Sequence, residues 1–549
     1  MTKRRAPTGK PPEAAGRGGE RVTPELKAQK RTYTALVLCL LALPFAALAV
    51  LAPFSSSLRP VFPLLWLFAT LTSLVVFRFP GDRLRTLAVS AVFLLALART
   101  YAADTAARGE SLALWQRLDG RAAVFEAALA DGDAAFRDGM ILAVTAVDGV
   151  PLRTPVRVYA WNYTEEALPE GAFLTFSARL APVRKEPDDA DDFAAYLRGK
   201  RVFLKAGAAK NFRRDETRDV FVPGARLRSL VGKALDRLFS ESANPDAKPL
   251  GEALLTGDKR GFDADTLTAF RRAGITHLLC VSGLHVSVLV FALRLFLALF
   301  FRSGKLRRLL TALAVLGYLA VCGFTPSAVR AAVMAFAAGF RPASARRGPD
   351  LLPFLAACAV ITLLDPYAVF DTGMQLSFAA TFGVLLAAES VRTLRVRFAH
   401  APTAAFLLGA LAVSADASLF TFGIGVAAFG GASLLSPLST LLCLWPAQIG
   451  LVVLFAALPF AAVLPQAFLT VFGALFDTLA AFVCDTAARV SALPIAYVTG
   501  QKSDAAFVLF AFLLCLAGCV ASRRTRPVRI RLAVLAATVA SLFAALFAV

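Results

Sequence analysis

Residues 277–285 contain two of the three histidines in the chain, together with one serine, at the start of an apolar run. Ionisable groups in such a run usually face a cavity or one another. On one helix Ser282 and His285 would be roughly 60° apart and His277 and His285 about 80° apart, so the three side chains can share a face. Gly283 can interrupt that helix and free backbone groups that require a polar cavity. Two interpretations remain open: a hydrolytic Ser/His pair without an identified third member, or residues that cap or cross-link helices.

A second group of polar residues lies inside otherwise apolar segments. These residues are Arg330, Asp365, Asp371, Gln375 and Ser377. Each requires a partner or water at membrane depth. Arg330 either contacts phosphate in a lumen or has a structural role, in which it extends to the interface or pairs with an aspartate. Asp365 followed by Pro366 is typical of a helix start, with a functional site as the alternative.

A third group has the residue types that bind single-stranded nucleic acid. In the segment VRVYAWNY, strand alternation places Arg157, Tyr159, Trp161 and Tyr163 on one face, which forms a stacking platform with a cation. The alternative is that these aromatics lie at the lipid headgroups or close a second small core. A basic stripe follows without an acidic residue among its members: Arg198, Lys200, Arg201, Lys205, Lys210, Arg213 and Arg214. It predicts phosphate contacts, although a solvated strand edge also carries Lys and Arg.

The elements that position these groups follow from the composition. The 549 residues are 57% hydrophobic and 18% charged, which excludes an ordinary soluble enzyme. Apolar runs of roughly 15 to 20 residues recur from residue 34 onward and indicate a multi-pass helical membrane protein. The net charge of +21 is first explained by cytoplasmic loops. No histidine or cysteine spacing suits zinc, so we expect no metal and no cofactor. We also expect no catalytic residue, with the Ser/His pair as the alternative.

The amino-terminal part divides into three regions. Residues 1–33 form a basic, disordered cytoplasmic tail, and residues 34–99 form three membrane helices at 34–53, 61–77 and 86–99. Residues 100–230 form an extracytoplasmic β-rich domain with strands at 139–147, 155–161, 172–179 and 201–207 and an early helix at 110–130. Five or so short strands indicate a small barrel of the OB type.

Residues 231–549 form the helical core. Basic clusters at 302–308, 341–347, 392–397 and 523–531 are placed on the cytoplasmic side. With the amino terminus inside, this arrangement predicts about 13 or 15 spans in the cytoplasmic (inner) membrane. The sequence does not indicate the oligomeric state.

Five sequence elements give the chain a resemblance to a known family. The stretch FRRAGITHLLCVSGLHVSVL, at 270–289, closely resembles the signature of the ComEC competence-protein family. Gly257 and Asp258 fit the upstream element LxxGD, and the segments GFTPSAVRAAVM and DPYAVFDTGMQLSFAAT fit two later elements of the family. DDFAAYLRGKRV, in the β-rich domain, resembles a further element without its usual Asn-Pro-Gly lead.

The resemblance implies an inner-membrane channel that passes single-stranded DNA into the cytoplasm during natural transformation. It also implies an ATPase partner on the cytoplasmic side, an outer DNA receptor and a separate nuclease. The chain has no phosphate loop for nucleotides and no metallo-β-lactamase-like domain after the channel, and Thr440 stands where the family has asparagine. The alternatives are an intramembrane serine hydrolase that uses Ser282 and a transporter of small anions.

Overall fold

A computed structural model of the chain describes residues 80–131, 139–161, 168, 171–183, 193–222, 224–340, 351–461 and 463–499. The predicted tail, the first two membrane helices, Tyr163 and the basic clusters at 341–347 and 523–531 lie outside the described residues. The third predicted span, at 86–99, falls within helix α1, Pro80–Leu118.

A closed barrel follows α1. Its strands are β1 (Ala122–Asp131), β2 (Gly139–Val147), β3 (Val150–Trp161), β4 (Phe173–Pro182) and β5 (Leu204–Arg214), in the order β1-β2-β3-β5-β4. The pairs are antiparallel except β3 with β5, which run parallel. The short helix α2, Phe193–Gly199, lies between β4 and β5. The predicted five-stranded barrel is confirmed, and the strand order matches the OB type.

The first strand corrects one prediction. Residues 110–130 were expected to be helical, but α1 ends at Leu118 and β1 begins at Ala122. Ala123, Phe125 and Leu129 are buried in the barrel core, in the alternation that a strand requires. Pairing of β1 with both β2 and β4 overrides the helix propensity of its alanines.

The remaining described residues are mostly helical. The helices are α3 (Ala225–Leu238), α4 (Ala247–Thr256), α5 (Ala264–Ala273), α6 (Gly283–Phe300), α7 (Gly304–Val321), α8 (Pro326–Phe340), α9 (Leu351–Leu364), α10 (Thr372–Arg397), α11 (Pro402–Phe429), α12 (Ser436–Ala457) and α13 (Gln466–Ser491). Short 3-10 helices lie at Glu216–Arg218, Thr276–Leu279, Pro366–Phe370 and Leu458–Phe460, and two short strands, β6 (Gly431–Ser433) and β7 (Tyr497–Thr499), pair antiparallel.

Four helices of the described part are long and apolar enough to cross a membrane: α6, α11, α12 and α13. They expose many large apolar side chains, among them Leu299 at 76% and Val471 at 69%. Together with shorter apolar helices, they fit a helical membrane protein. The count of 13 or 15 spans stays a prediction.

The largest apolar core joins the helices on both sides of the signature segment. It includes Leu250 of α4, Phe270 of α5, Leu454 of α12 and Phe476 of α13, all buried. A smaller core, with Val281 and Val286 among its members, holds the start of α6 against α7 and α8. The signature segment therefore lies between two packed clusters, which fix its backbone.

Candidate functional site

The signature segment is a break between helices. Thr276–Leu279 form a 3-10 helix, the backbone is extended at Cys280 and Ser282, and α6 begins at Gly283. Ser282 is therefore the N-cap of α6. The sequence predicted that Ser282 and His285 share a helix face, and this prediction is wrong. The interruption near Gly283 is confirmed.

Ser282 and His285 form a reciprocal capping box. The Ser282 hydroxyl accepts the backbone N–H groups of Leu284 and His285 at 3.2 and 3.4 Å. In return, His285 Nδ1 accepts the backbone N–H of Ser282 at 3.3 Å. The residue that usually closes a capping box is Glu or Gln, and here histidine takes its place. Because Nδ1 accepts from the backbone, the imidazole is held as part of a helix cap.

The other imidazole nitrogen is in a different situation. His285 is fully buried, and its Nε2 has no hydrogen-bond partner among the described residues. His277, in contrast, lies in the preceding 3-10 helix with an exposed side chain. The two histidines therefore lie in different environments. The helix face that was predicted to contain His277, Ser282 and His285 does not form.

Arg330 of α8 lies against the first residue of α6. A Cβ added at Gly283 would be 3.2 Å from Arg330 Nη2, a tight contact that the guanidinium would have to relieve by moving a few tenths of an ångström. Nη1 donates to the carbonyl of Ser377, and the guanidinium lies 5.8 Å from the centre of the Phe378 ring. Arg330 is 6% exposed, and its Nε has no partner among the described residues.

Arg330 has no counter-ion among the described residues. No carboxylate of the described residues lies within ion-pair distance of the guanidinium. The neighbouring helix N-terminus carries a partial positive charge of its own. Two positive groups in a buried position repel each other, and an isolated buried charge is costly. The described residues therefore leave the positive charge of Arg330 without a neutralising partner.

A second helix break lies between α9 and α10. Asp365 accepts the N–H of Tyr367 at 2.9 Å and caps the 3-10 helix, and Asp371 accepts the N–H of Met374 at 2.7 Å and caps α10. The prediction of a helix start at Asp365 is confirmed. Gln375 donates to the carbonyl of Val369 at 3.0 Å. Three of these polar side chains thus satisfy backbone groups that the break leaves unpaired.

This second break also joins the barrel to the helical core. Arg201, between α2 and β5, forms an ion pair with Asp365 at 2.6 Å and lies 5.5 Å from the centre of the Tyr367 ring. The Tyr367 hydroxyl donates to Asp104 of α1 at 2.7 Å, and Arg108 Nε donates to the same carboxylate oxygen at 2.8 Å. Burial, then the Asp104 carboxylate, raises the pKa of Tyr367 above its usual range.

This joint was not predicted from the sequence. Arg201 was expected to contact phosphate and Asp365 to start a helix or belong to a functional site, and no role was predicted for Asp104 or Arg108. The signal available was the i, i+4 spacing of Asp104 and Arg108 inside a helix. Their contact with Tyr367 is a long-range pairing that no local pattern contains.

The predicted stacking platform is only partly open. Val156, Val158 and Ala160 lie in the barrel core, so the predicted alternation is correct. Tyr159 nevertheless is 3% exposed, because it packs with Ile141, Leu197 and Val202 in a second small core. This corresponds to the alternative interpretation for Tyr159, whose ring has no free face for a base. Trp161 is 38% exposed and meets the Tyr159 ring edge to face at 5.6 Å.

The basic residues of the barrel also divide into two sets. Arg157 donates to the carbonyl of Lys200 at 2.9 Å, and Lys200 lies 5.9 Å from the ring centre of Tyr196, so these cations help to hold α2 on the barrel. Arg198 and Lys205 are half-buried beside the same helix. In contrast, Lys210 and Arg213 of β5 are exposed. β5 continues beyond its pairing with the end of β3, and in this part Lys210 and Arg213 lie opposite Ser177 and Thr175 of β4.

No group of three His, Cys, Asp or Glu residues in the described part has the arrangement of a metal site. The arrangement of Ser282 likewise offers little to nucleophilic catalysis, because its hydroxyl accepts two backbone N–H groups and His285 Nδ1 accepts a third. What the site presents is a buried cation at a helix N-terminus beside a helix break.

Comparison with known proteins places these features in one family. The family model described as Competence protein matches residues 254–525, which include both breaks and Arg330. ComE operon protein 3 of Bacillus subtilis (strain 168) is 33% identical over 151 residues, which make up 26% of this chain and 19% of that protein. The chain thus aligns with about a fifth of this relative. No solved structure matches. The resemblance found in the sequence is confirmed by these matches.

Proposed function

We propose, from the premise that residues 254–525 belong to the competence protein family of the ComEC type, that this protein passes single-stranded DNA across the inner membrane during natural transformation. The amino terminus and the basic cluster at 302–308 lie in the cytoplasm, and the barrel lies outside. The barrel meets the incoming strand, and the helical core conducts it. An ATPase on the cytoplasmic side and an outer DNA receptor complete the pathway.

One observation carries the proposal. Arg330 is a buried cation that lies against the N-terminus of α6, and no carboxylate of the described residues forms an ion pair with it. Helix N-termini bind phosphate through their N–H groups and their dipole. Interrupted membrane helices direct such ends at anionic substrates near the membrane centre. A DNA strand supplies a phosphate at each nucleotide, so each passing phosphate replaces the last beside Arg330.

The barrel favours a nucleic acid over a small anion as the substrate. An exposed tryptophan next to exposed cations is the combination that binds single strands without sequence preference. Trp161, Lys210 and Arg213 are residues of these types that the barrel exposes. A transporter of small anions has no use for a stacking surface, although the site at Arg330 alone suits either substrate.

The test replaces Arg330 by methionine and by lysine in the full-length protein. A transformable bacterium that lacks its own channel then expresses each variant, and the amount of labelled DNA that becomes protected from nuclease is measured at matched protein abundance. A hydrogen bond to a charged group contributes about 1.5 to 3 kcal/mol, so R330M is expected to lower uptake roughly 10- to 100-fold. R330K keeps the charge without the planar fork and is expected to be intermediate.

Arg272→Met is the matched control, since Arg272 is an exposed arginine at the end of α5. We expect it to take up DNA like the wild type. Gly283→Ala places a methyl group 3.2 Å from Arg330 Nη2 and should reproduce part of the R330M defect. Normal DNA uptake by R330M at normal protein abundance would contradict the proposal that Arg330 binds phosphate.

A further inference from the structure

A small pocket lies between α6, α7 and α8, away from both helix breaks. Its volume is about 50 Å³, and its walls include Arg294 of α6, Arg308 and Val315 of α7 and Phe336 of α8. This space accommodates a few water molecules and therefore a group of phosphate size. Most of the wall is apolar, and Arg294 and Arg308 are the only charged ones among the described residues that line it.

Two arginines of one helical hairpin line this pocket. Arg294 lies inside the apolar helix α6 and precedes its end at Phe300 by six residues, which corresponds to about 9 Å along the helix axis. Arg308 belongs to the basic turn and lies four residues after the start of α7 at Gly304, so the two side chains approach the pocket from the two arms of one turn. No carboxylate of the described residues forms an ion pair with either arginine. An ionisable group inside an apolar helix, such as Arg294, usually faces a cavity or a partner.

The helix surfaces beside the pocket are strongly apolar. Leu295 and Leu299 of α6 are 61% and 76% exposed in the described structure, and Leu309 and Leu313 of α7 are 56% and 55% exposed. A ligand that fits both features has an anionic group and long apolar chains. Free phosphate lacks the chains, and a DNA strand has no group that covers exposed leucines on the outside of two helices.

We propose that this pocket, lined by Arg294 and Arg308, binds the headgroup phosphate of an anionic phospholipid whose acyl chains lie along α6 and α7. Basic pockets between membrane helices bind such headgroups. The turn between the two helices carries the basic cluster at 302–308, which adds attraction for the same lipid. The proposal is independent of the proposed DNA channel, because it depends only on the hairpin and its charge.

The experiment measures lipid on the purified full-length protein. The protein is reconstituted in nanodiscs of phosphatidylcholine with 10% phosphatidylglycerol or cardiolipin, released, and examined by native mass spectrometry. We expect retained anionic lipid in the wild type, and a loss of roughly tenfold in Arg294→Gln/Arg308→Gln. Arg307→Gln is the matched control, because it removes the same charge from the neighbouring residue, which does not line the pocket.

Three results would overturn the proposal. The first is equal retention of anionic lipid by the wild type and the double variant. The second is an equal loss in R307Q, which would indicate general attraction to the basic turn. The third is displacement of the lipid by a single-stranded oligonucleotide at low concentration, which would assign the pocket to DNA. Thermal unfolding of each variant, with and without phosphatidylglycerol, provides a second readout, since a ligand of the folded state stabilises only a protein that retains the site.

Discussion

The capping role of Ser282 gives opposite predictions for two substitutions that a nucleophile would not distinguish. Ser282→Asn keeps a side-chain oxygen that accepts N–H groups at a helix start, and asparagine is as good an N-cap as serine. Ser282→Ala removes the acceptor of two N–H groups. A hydrolase that attacks with the serine hydroxyl would be inactivated by both changes.

The magnitude follows from the geometry. Loss of an N-cap costs about 0.5 to 2 kcal/mol. The two bonds to Ser282 are long, at 3.2 and 3.4 Å, and the reciprocal bond from its N–H to His285 remains possible in both variants. We therefore expect Ser282→Ala to lose about 1 kcal/mol, which is a factor of about five in the ratio of folded to unfolded protein.

The assay combines unfolding in mixed micelles with DNA uptake. Ser282→Asn should match the wild type in both, and Ser282→Ala should unfold earlier and retain uptake in proportion to the folded protein. Ser287→Ala is the control, because the Ser287 hydroxyl bonds the Gly283 carbonyl within the same helix and caps nothing. If both Ser282 variants lose all uptake while remaining folded, and a serine-directed probe labels the wild type alone, the capping interpretation is refuted.

Three further predictions concern the barrel and its orientation. Tyr367→Phe removes the buried hydrogen bond to Asp104 and should lower the free energy of unfolding by about 1.5 kcal/mol, measured by denaturant titration; an unchanged midpoint would show that the joint adds no stability. Trp161→Ala should weaken binding of a single-stranded oligonucleotide to the full-length protein by about 1 to 3 kcal/mol with little change in the salt slope, and a changed slope would contradict stacking. In a background without native cysteines, Val150→Cys should react with an impermeant thiol reagent from outside and Ser303→Cys should not, and the reverse would invert the proposed topology.

The barrel was predictable from local patterns, except at its first strand. Strand β2 was expected at 139–147 and is observed at Gly139–Val147. Strand β1 has the sequence AAVFEAALAD, in which alanine, leucine and glutamate favour a helix. Its alternation of buried residues was present in the sequence, but only the two neighbouring strands make that alternation decisive.

The helix breaks were partly predictable, and their long-range contacts were not. Asp365 followed by Pro366 has the form of a helix start, and the structure confirms it. The segment Ser-Gly-Leu-His is a capping box with histidine in the position of Glu, a pattern that was available in the sequence but was interpreted as a shared helix face. The ion pair between Arg201 and Asp365 depends on how the barrel docks, and no periodicity contains that information.

The capping residues of this core differ from Arg330 in whether helix capping accounts for a polar side chain in an apolar region. A helix that begins inside an apolar domain leaves N–H groups without partners, and each such group is costly in hydrocarbon. Ser282 and Asp371 provide acceptors at two such starts, so their polarity is accounted for by the fold. A guanidinium provides only donors, and it cannot serve a helix N-terminus in this way. Because Arg330 adds positive charge where the helix dipole is already positive, the capping of helix starts does not explain it, and this is the reason for the proposal that it contacts phosphate.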